Sequence, residues 1–306
     1  MYVLQTCGLT KAYGGRCVVD RFDMHVQQGD VYGFVGKNGA GKSTVMKMVM
    51  GLVAPTAGTI ALFGEDVAAD GDACRRRIGA LIEAPGLLPA SSAFDTLMAR
   101  ALALGFPDAR DRCQEIMRLV GLSAVGRKRT KRFSQGMKQR LGIGLALLGS
   151  PDLLLLDEPF NGLDPEGTRD IRSLIMRLNE TFGVTVVVSS HVLDQLDRMV
   201  TRYGVISGGR MVREMSAQEV KEECGHSLRV RTSAPELTLV ALQEAFPHIA
   251  ARVDPDRSLC ITGTFDAEAI AQVLHAQEPS VLELSEIERD MEEYFVALMD
   301  KEAPSC

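Results

Sequence analysis

An α/β fold carrying a second, smaller α+β domain is the class the sequence predicts, and three observations carry that prediction. Strand-like and helix-like segments alternate through about residue 215, the pattern of a parallel sheet flanked by helices. Within that stretch a short apolar run at Asp30–Val35 leads through a glycine-rich loop into a helical repeat at Lys42–Met50. From Ser227 onward the succession becomes β-α-β-β-α-β, a ferredoxin-like signature. The expected domains are therefore 1–218 and 219–306, with a helical subdomain at about 85–150 inside the first.

The elements follow in order. Tyr2–Leu9 and Cys17–His25 have β character, separated by the turn-rich Lys11–Gly15. After the helix at Lys42–Met50, Pro55–Gly58 marks a turn, and Thr59–Phe63 and Ile78–Ile82 read as strands. From Ala93 to Gly149 the period is helical, through Leu97, Ala101 and Leu104 and then Ile116, Leu119 and Val120. Leu153–Leu156 is a continuous apolar strand, Pro165–Phe182 a helix, and Val184–Val188 a strand. In the second domain the strands are Ser227–Thr232, Ile249–Val253, Ser258–Thr264 and Val281–Leu284, with helices at Leu237–Phe246 and Ala267–His275. A last helix is expected from Glu286 to Met299.

Composition narrows the class. The 306 residues are 46% hydrophobic and 24% charged with a net charge of −6, which excludes disordered and collagen-like chains. The mild acidity gives no footprint for a nucleic acid, whose partners usually present a basic domain. The run Arg127–Arg132 reads as a solvated face. No apolar stretch approaches the ~18–20 residues that span a bilayer, and the N-terminus lacks the pattern of a signal peptide. A cytoplasmic location follows as the expectation. Seven dispersed cysteines without a C-x-x-C pair fit reduced thiols.

The chemistry concentrates in two motifs. Gly36-Lys37-Asn38-Gly39-Ala40-Gly41-Lys42-Ser43 fits G-x-x-x-x-G-K-[ST] with a strand before it and a helix after. Glycines let successive backbone N–H groups close around phosphates, and the helix N-terminus adds a positive dipole end. Lys42 is placed to reach the β- and γ-phosphates, Ser43 to offer a hydroxyl to Mg²⁺, and Thr44 to donate to a nearer phosphate. The second motif is the apolar strand Leu153–Leu156 running into Asp157-Glu158. A carboxylate at the end of a buried strand is unfavourable unless it meets a cation, so Asp157 is assigned to Mg²⁺. Glu158 is assigned as acceptor of a proton from an attacking water.

A third segment, Phe133-Ser-Gln-Gly-Met-Lys-Gln-Arg140, gives the order a family resemblance. Phosphate loop, helical insert, Ser134/Gly136, Asp157-Glu158, Asn161-Gly-Leu-Asp164 and His191 together resemble an ABC-transporter ATPase subunit. That family's signature reads L-S-G-G-Q; Ser134 and Gly136 match it, and Phe133, Gln135 and Met137 depart. The resemblance implies that two subunits pack head to tail, as an expected homodimer, with each ATP between one phosphate loop and the other copy's Ser134 and Gly136. It implies that His191 contacts the γ-phosphate, that Tyr13 stacks on adenine, and that Glu83 meets Mg²⁺ where most of the family has glutamine. Without it, His191 reads as a surface histidine, Tyr13 as a half-buried loop residue and Glu83 as a solvated acid.

Glu83, the Ser134–Gly142 segment and the terminal Asp290–Met299 are similar to the bacitracin and lantibiotic export branch. That branch implies transmembrane permease partners, contact with the membrane only through them at its inner face, and a peptide-antibiotic cargo. The competing reading is an ABC-type ATPase that acts as a nucleotide-dependent switch on a macromolecular partner. Such proteins tend to carry two cassettes or a long coiled coil, and neither is visible in the sequence.

Overall fold

The computed structural model describes residues 1–196, 198–224, 226–247, 249–254, 256–262, 265–275, 281–288 and 290–301. Residues 1–215, joined by the chain end from Leu298, form one compact unit, and 216–297 form another.

The first unit begins with a long hairpin. Strands β1 (Tyr2–Tyr13) and β2 (Arg16–Gln27) pair antiparallel across Gly14-Gly15, both at positive φ, so the expected loop at 11–15 shrinks to a two-glycine turn. The strand β3 (Val31–Val35) is wholly buried and leads to helix α1 (Lys42–Val49). Next come β4 (Ala57–Leu62), β5 (Glu65–Asp66), helix α2 (Val67–Arg75) and β6 (Ile78–Leu81). Three helices follow: α3 (Ala93–Ala103), α4 (Ala109–Leu119) and α5 (Gln135–Leu147). The unit then runs through β7 (Leu153–Leu156), α6 (Pro165–Phe182), β8 (Thr185–Ser190), β9 (Arg202–Ser207) and β10 (Arg210–Ser216).

Two sheets share the core. The antiparallel one has the order β2-β1-β4-β5, and the other β10-β9-β3-β8-β7-β6, with β3, β6, β7, β8 and β9 in parallel register. The central strands are buried on both faces, which is why Leu153–Leu156 and Val186–Val188 read as unbroken apolar runs. Phe22 of β2 and Phe34 of β3 meet at a centroid distance of 5.6 Å, so the antiparallel sheet and α1 close over the parallel one. The helical repeat expected from Ala93 resolves into α3–α5; α3 packs on α4, with Leu97 and Ala101 of the one and Cys113 and Met117 of the other all buried. Ser92 caps α3 by a capping box with Asp95, and Asp164 caps α6 ahead of Pro165.

The second unit contains α7 (Ala217–Cys224), β11 (His226–Thr232), α8 (Pro235–Ala245), β12 (Ala250–Val253), β13 (Leu259–Thr262), α9 (Ala267–His275), β14 (Val281–Glu288) and the start of α10 (Met291–Lys301). Its sheet order is β12-β13-β11-β14, every pair antiparallel, over a core of Leu228, Val230, Leu259, Ile261, Ile270 and Leu274. The expected strand Ser258–Thr264 contains residues 263–264, which lie outside the described residues. The expected helix start at Glu286 is corrected: Glu286 pairs with Leu228 in β14, and the helix begins at Met291. Glutamate favours helices, but β-pairing with a buried strand overrides that preference.

Candidate nucleotide site

The glycine-rich loop joins the buried end of β3 to α1. Gly41 is the N-cap of α1 at φ 112°, and no side chain caps the helix, so its first-turn N–H groups stay open to an anion. Gly39 also lies in the left-handed region at φ 81°, a position glycine adopts without steric penalty. Gly36 is held for space: a Cβ there would lie 2.6 Å from the Ile206 carbonyl oxygen. Lys37, Asn38 and Gly39 are exposed, Ala40 and Lys42 are buried, and Ser43 and Thr44 are half-buried. The Lys42 Nζ donates to the carbonyl of Gly36 at 2.6 Å and lies 3.3 Å from Oε1 of Glu158.

The carboxylates sit where β7 ends. Asp157 is buried, at 4% exposure, and its Oδ1 accepts the Ser189 hydroxyl at 2.7 Å. Glu158 turns away at φ 48°, a left-handed conformation that costs a non-glycine residue of the order of 1–3 kcal/mol. That turn sends its side chain in a different direction from Asp157. Its Oε2 lies 2.8 Å from Nδ1 of His191, while the buried Oε1 accepts no hydrogen bond among the described residues and faces Lys42. The structure therefore brings Lys42, Glu158 and His191 together, although Lys42 lies more than a hundred positions before the other two in sequence. His191 directly follows β8, whose end is Ser190, two residues later than the expected Val188.

Glu83 lies two residues beyond β6 at φ 62° and is largely exposed. Its carboxylate is taken by the Nζ of Lys47 on α1, and that hydrogen bond holds the Lys47 ammonium above its ordinary 10.5. Glu83, Pro85, Gln135, Asp157, Glu158 and Asn161 line one cleft of about 850 Å³. Tyr13, at the hairpin end of β1, is half exposed with Lys11 Nζ 4.9 Å from its ring centre.

Ser134 and Gly136 occupy separate ground. Ser134 is the exposed N-cap of α5, its Oγ accepting the Met137 N–H at 3.3 Å. With Gly136, Gly162 and Asp164 it lines a cleft of about 390 Å³ that includes none of residues 36–44. Two neighbours of the site escaped the sequence reading. Ser189 and Lys47 lie in no recognisable motif, although a pair of hydroxyls closing an apolar strand just before His191 was a visible signal.

A phosphate-cradling loop at a helix N-terminus, facing a carboxylate pair at the end of a parallel strand of the same sheet, one strand removed, defines the class of α/β nucleotide-hydrolysing proteins. Residues 19–161 match the family model for ABC transporters. The chain is 35% identical over 298 residues to the bacitracin transport ATP-binding protein BcrA of Bacillus licheniformis, covering 97% of each chain. It is 38% identical over 212 residues to the lantibiotic transport ATP-binding protein SrtF of Streptococcus pyogenes, covering 69% of this chain and 90% of that one. Among solved structures, a dimeric ATP-binding cassette in a post-hydrolysis state with ADP and Pi superposes with a TM-score of 0.63 at 25% identity, over 70% of this chain and 98% of that one. The cbiO1 protein of Clostridium perfringens, part of an ABC transporter complex, gives a TM-score of 0.66 at 25% identity over 80% of this chain and 96% of that one. The chain belongs to the ABC transporter family, as an ATP-binding subunit that hydrolyses ATP.

Proposed function

We propose that this subunit drives export of a peptide antibiotic or related amphiphile through separate transmembrane permease chains, working as a homodimer at the inner face of the membrane. The cargo class rests on the bacitracin relative, matched over 97% of both chains. No helix among the described residues is long and apolar enough to cross a membrane, so a transport path needs other chains. The cleft beside Glu83, walled by Pro85 and Leu87 from the segment leading into the helices, is the surface assigned to pass motion to the permease.

One observation carries the dimer. Ser134 stands exposed at the open end of α5, in a cleft that shares no residue with the phosphate loop. A chain that presents these two phosphate-binding elements on separate ground completes a site by meeting a second copy. Glycine at 136 leaves its backbone accessible, since the nearest atom to a Cβ there is Leu163 Cδ2 at 3.8 Å.

The residues present also fit Mg²⁺. Ser43, Asp157 and Glu83 offer only oxygen donors, the set a hard cation takes, and a carboxylate as buried as Asp157 is stabilised by one. When bound, the ion would neutralise phosphate charge. In hydrolysis Lys42 offsets negative charge developing on the γ-phosphate. Glu158 takes a proton from the attacking water through the carboxylate that His191 orients. His191 and Lys42 keep that carboxylate aimed by contacts on its two oxygens. Tyr13, on an exposed hairpin tip, offers a flat face for adenine.

Ser134→Arg is the decisive test of the shared site. The variant is expected to bind fluorescent ATP with near-normal affinity while phosphate release is abolished. Loss of affinity in the monomer would place Ser134 in its own chain's pocket and end the two-copy reading. Cargo is tested by co-expression with transmembrane permease chains: protection against bacitracin or a lantibiotic is expected with the native subunit and not with Glu158→Gln.

A further inference from the structure

Ser189 belongs to β8 and is fully buried, directly after the apolar Val186, Val187 and Val188. A hydroxyl in such surroundings is unfavourable unless it is bonded, and this one is bonded twice. It donates to Oδ1 of Asp157 at 2.7 Å and accepts the backbone N–H of Glu158 at 2.8 Å. The parallel register that sets Leu156 beside Val188 brings Asp157 alongside Ser189.

The direction of the two bonds is fixed by chemistry. A hydroxyl carries one proton, and an ionised carboxylate can only accept, so the proton points to Asp157 and a lone pair is left for Glu158. The order is therefore Glu158 N–H to Ser189 O–H to Asp157 carboxylate, and each bond polarises the next. The donating N–H belongs to a residue at φ 48°, a conformation that persists only when its surroundings over-determine it. One buried side chain thus bonds both the carboxylate assigned to the cation and the turn that aims the carboxylate assigned to the water.

We infer that Ser189 is a positioning residue for ATP hydrolysis, whose single hydroxyl sets the Asp157 carboxylate and the left-handed Glu158 backbone in one fixed arrangement. The inference rests on the roles proposed for Asp157 and Glu158. It makes placement of the cation and placement of the attacking water interdependent, so losing the hydroxyl disturbs both. Threonine keeps the hydroxyl; alanine removes it while leaving almost no cavity.

The test uses the purified full chain with Ser189→Ala, Ser189→Thr and Glu158→Gln. Binding of a fluorescent ATP analogue is measured in EDTA and again across a Mg²⁺ titration, and phosphate release is measured at saturating ATP and Mg²⁺. Ser189→Ala is expected to bind the analogue in EDTA within about twofold of the native chain. Its kcat should fall about tenfold or more, the scale of a lost hydrogen bond to a charged group. The Mg²⁺ concentration that produces half of the gain in binding should rise several-fold, and Ser189→Thr should restore both. Native kcat and native Mg²⁺ dependence in Ser189→Ala would overturn the inference. So would equal loss of metal-free binding in the alanine and threonine variants, which would mark a packing role. Native-like turnover in Glu158→Gln would instead remove the site reading itself; an inactive Glu158→Gln beside an unaffected Ser189→Ala would remove only Ser189's part.

Discussion

The Nδ1 of His191 lies 2.8 Å from Oε2 of Glu158. With Lys42 Nζ 3.3 Å from Oε1, the carboxylate is flanked by a nitrogen on each oxygen, and a glutamine would preserve its shape but not its basicity. Glu158→Gln is therefore expected to lower steady-state phosphate release by roughly 10²-fold or more, the usual contribution of a general base, while ATP binding persists. Size-exclusion chromatography with ATP should show accumulated dimers. Unchanged turnover would remove Glu158 from the chemistry.

The ion pair between Glu83 and Lys47 leads to a milder expectation. Glu83 is 65% exposed at its side chain, so its charge is well solvated and the pair stabilises the fold little. Glutamine offers an oxygen to a hard cation as glutamate does, and it releases Lys47. Glu83→Gln should retain phosphate release within about threefold of the native rate, with Lys47→Met behaving similarly at saturating Mg²⁺. Complete loss in Glu83→Gln would show that the negative charge itself is required.

Those contacts also mark where legibility in the sequence ends. The strands β3 and β7 were readable because Val31–Val35 and Leu153–Leu156 are apolar runs bounded by turn residues. Helix α6 announced both ends, with Asp164-Pro165 at its start and Gly183 in the left-handed region at its end. The motif residues followed from local windows. By contrast, α2 carries a glycine and two aspartates among nine residues and shows no clear apolar stripe. Ser189 acquires its meaning only from β8 lying beside β7, a neighbour relation set by the whole sheet order. Lys47 needs a helix face turned toward a loop 36 residues away.

Tyr32 links stability to alkaline pH. It is buried on β3, and its hydroxyl donates to Oε1 of Glu214 on β10 at 2.6 Å. Oε2 of Glu214 lies 2.8 Å from Nδ1 of His25. Burial first, and then the Glu214 charge, push the Tyr32 phenol well above its ordinary 10.0. A folded-state value raised above the unfolded one contributes stability that is complete below about pH 10 and is lost as pH rises beyond it. Urea unfolding should show the native chain weakening from about pH 10 upward. Tyr32→Phe should be less stable by about 1–2 kcal/mol at pH 8, having lost a hydrogen bond to a charged group, and its alkaline decline should be shallower. Equal slopes in the two proteins would assign the alkaline loss to other groups.

Gly204, on β9 beside β3, is glycine for lack of room. A Cβ there would stand 1.9 Å from the Tyr32 hydroxyl and 2.6 Å from the ring carbon bearing it. Gly204→Ala must therefore displace the ring from Glu214 or spread β3 from β9, and overpacking of this kind typically costs about 1–3 kcal/mol. Because β3 runs directly into the phosphate loop, ATP affinity should fall along with stability. Removing the hydroxyl relieves the worst overlap, so Tyr32→Phe with Gly204→Ala should be more stable than the two single losses predict, by about 0.5 kcal/mol or more. Strict additivity in the double-mutant cycle, measured by urea unfolding at pH 8, would mean that the alanine is accommodated by backbone movement rather than against the tyrosine.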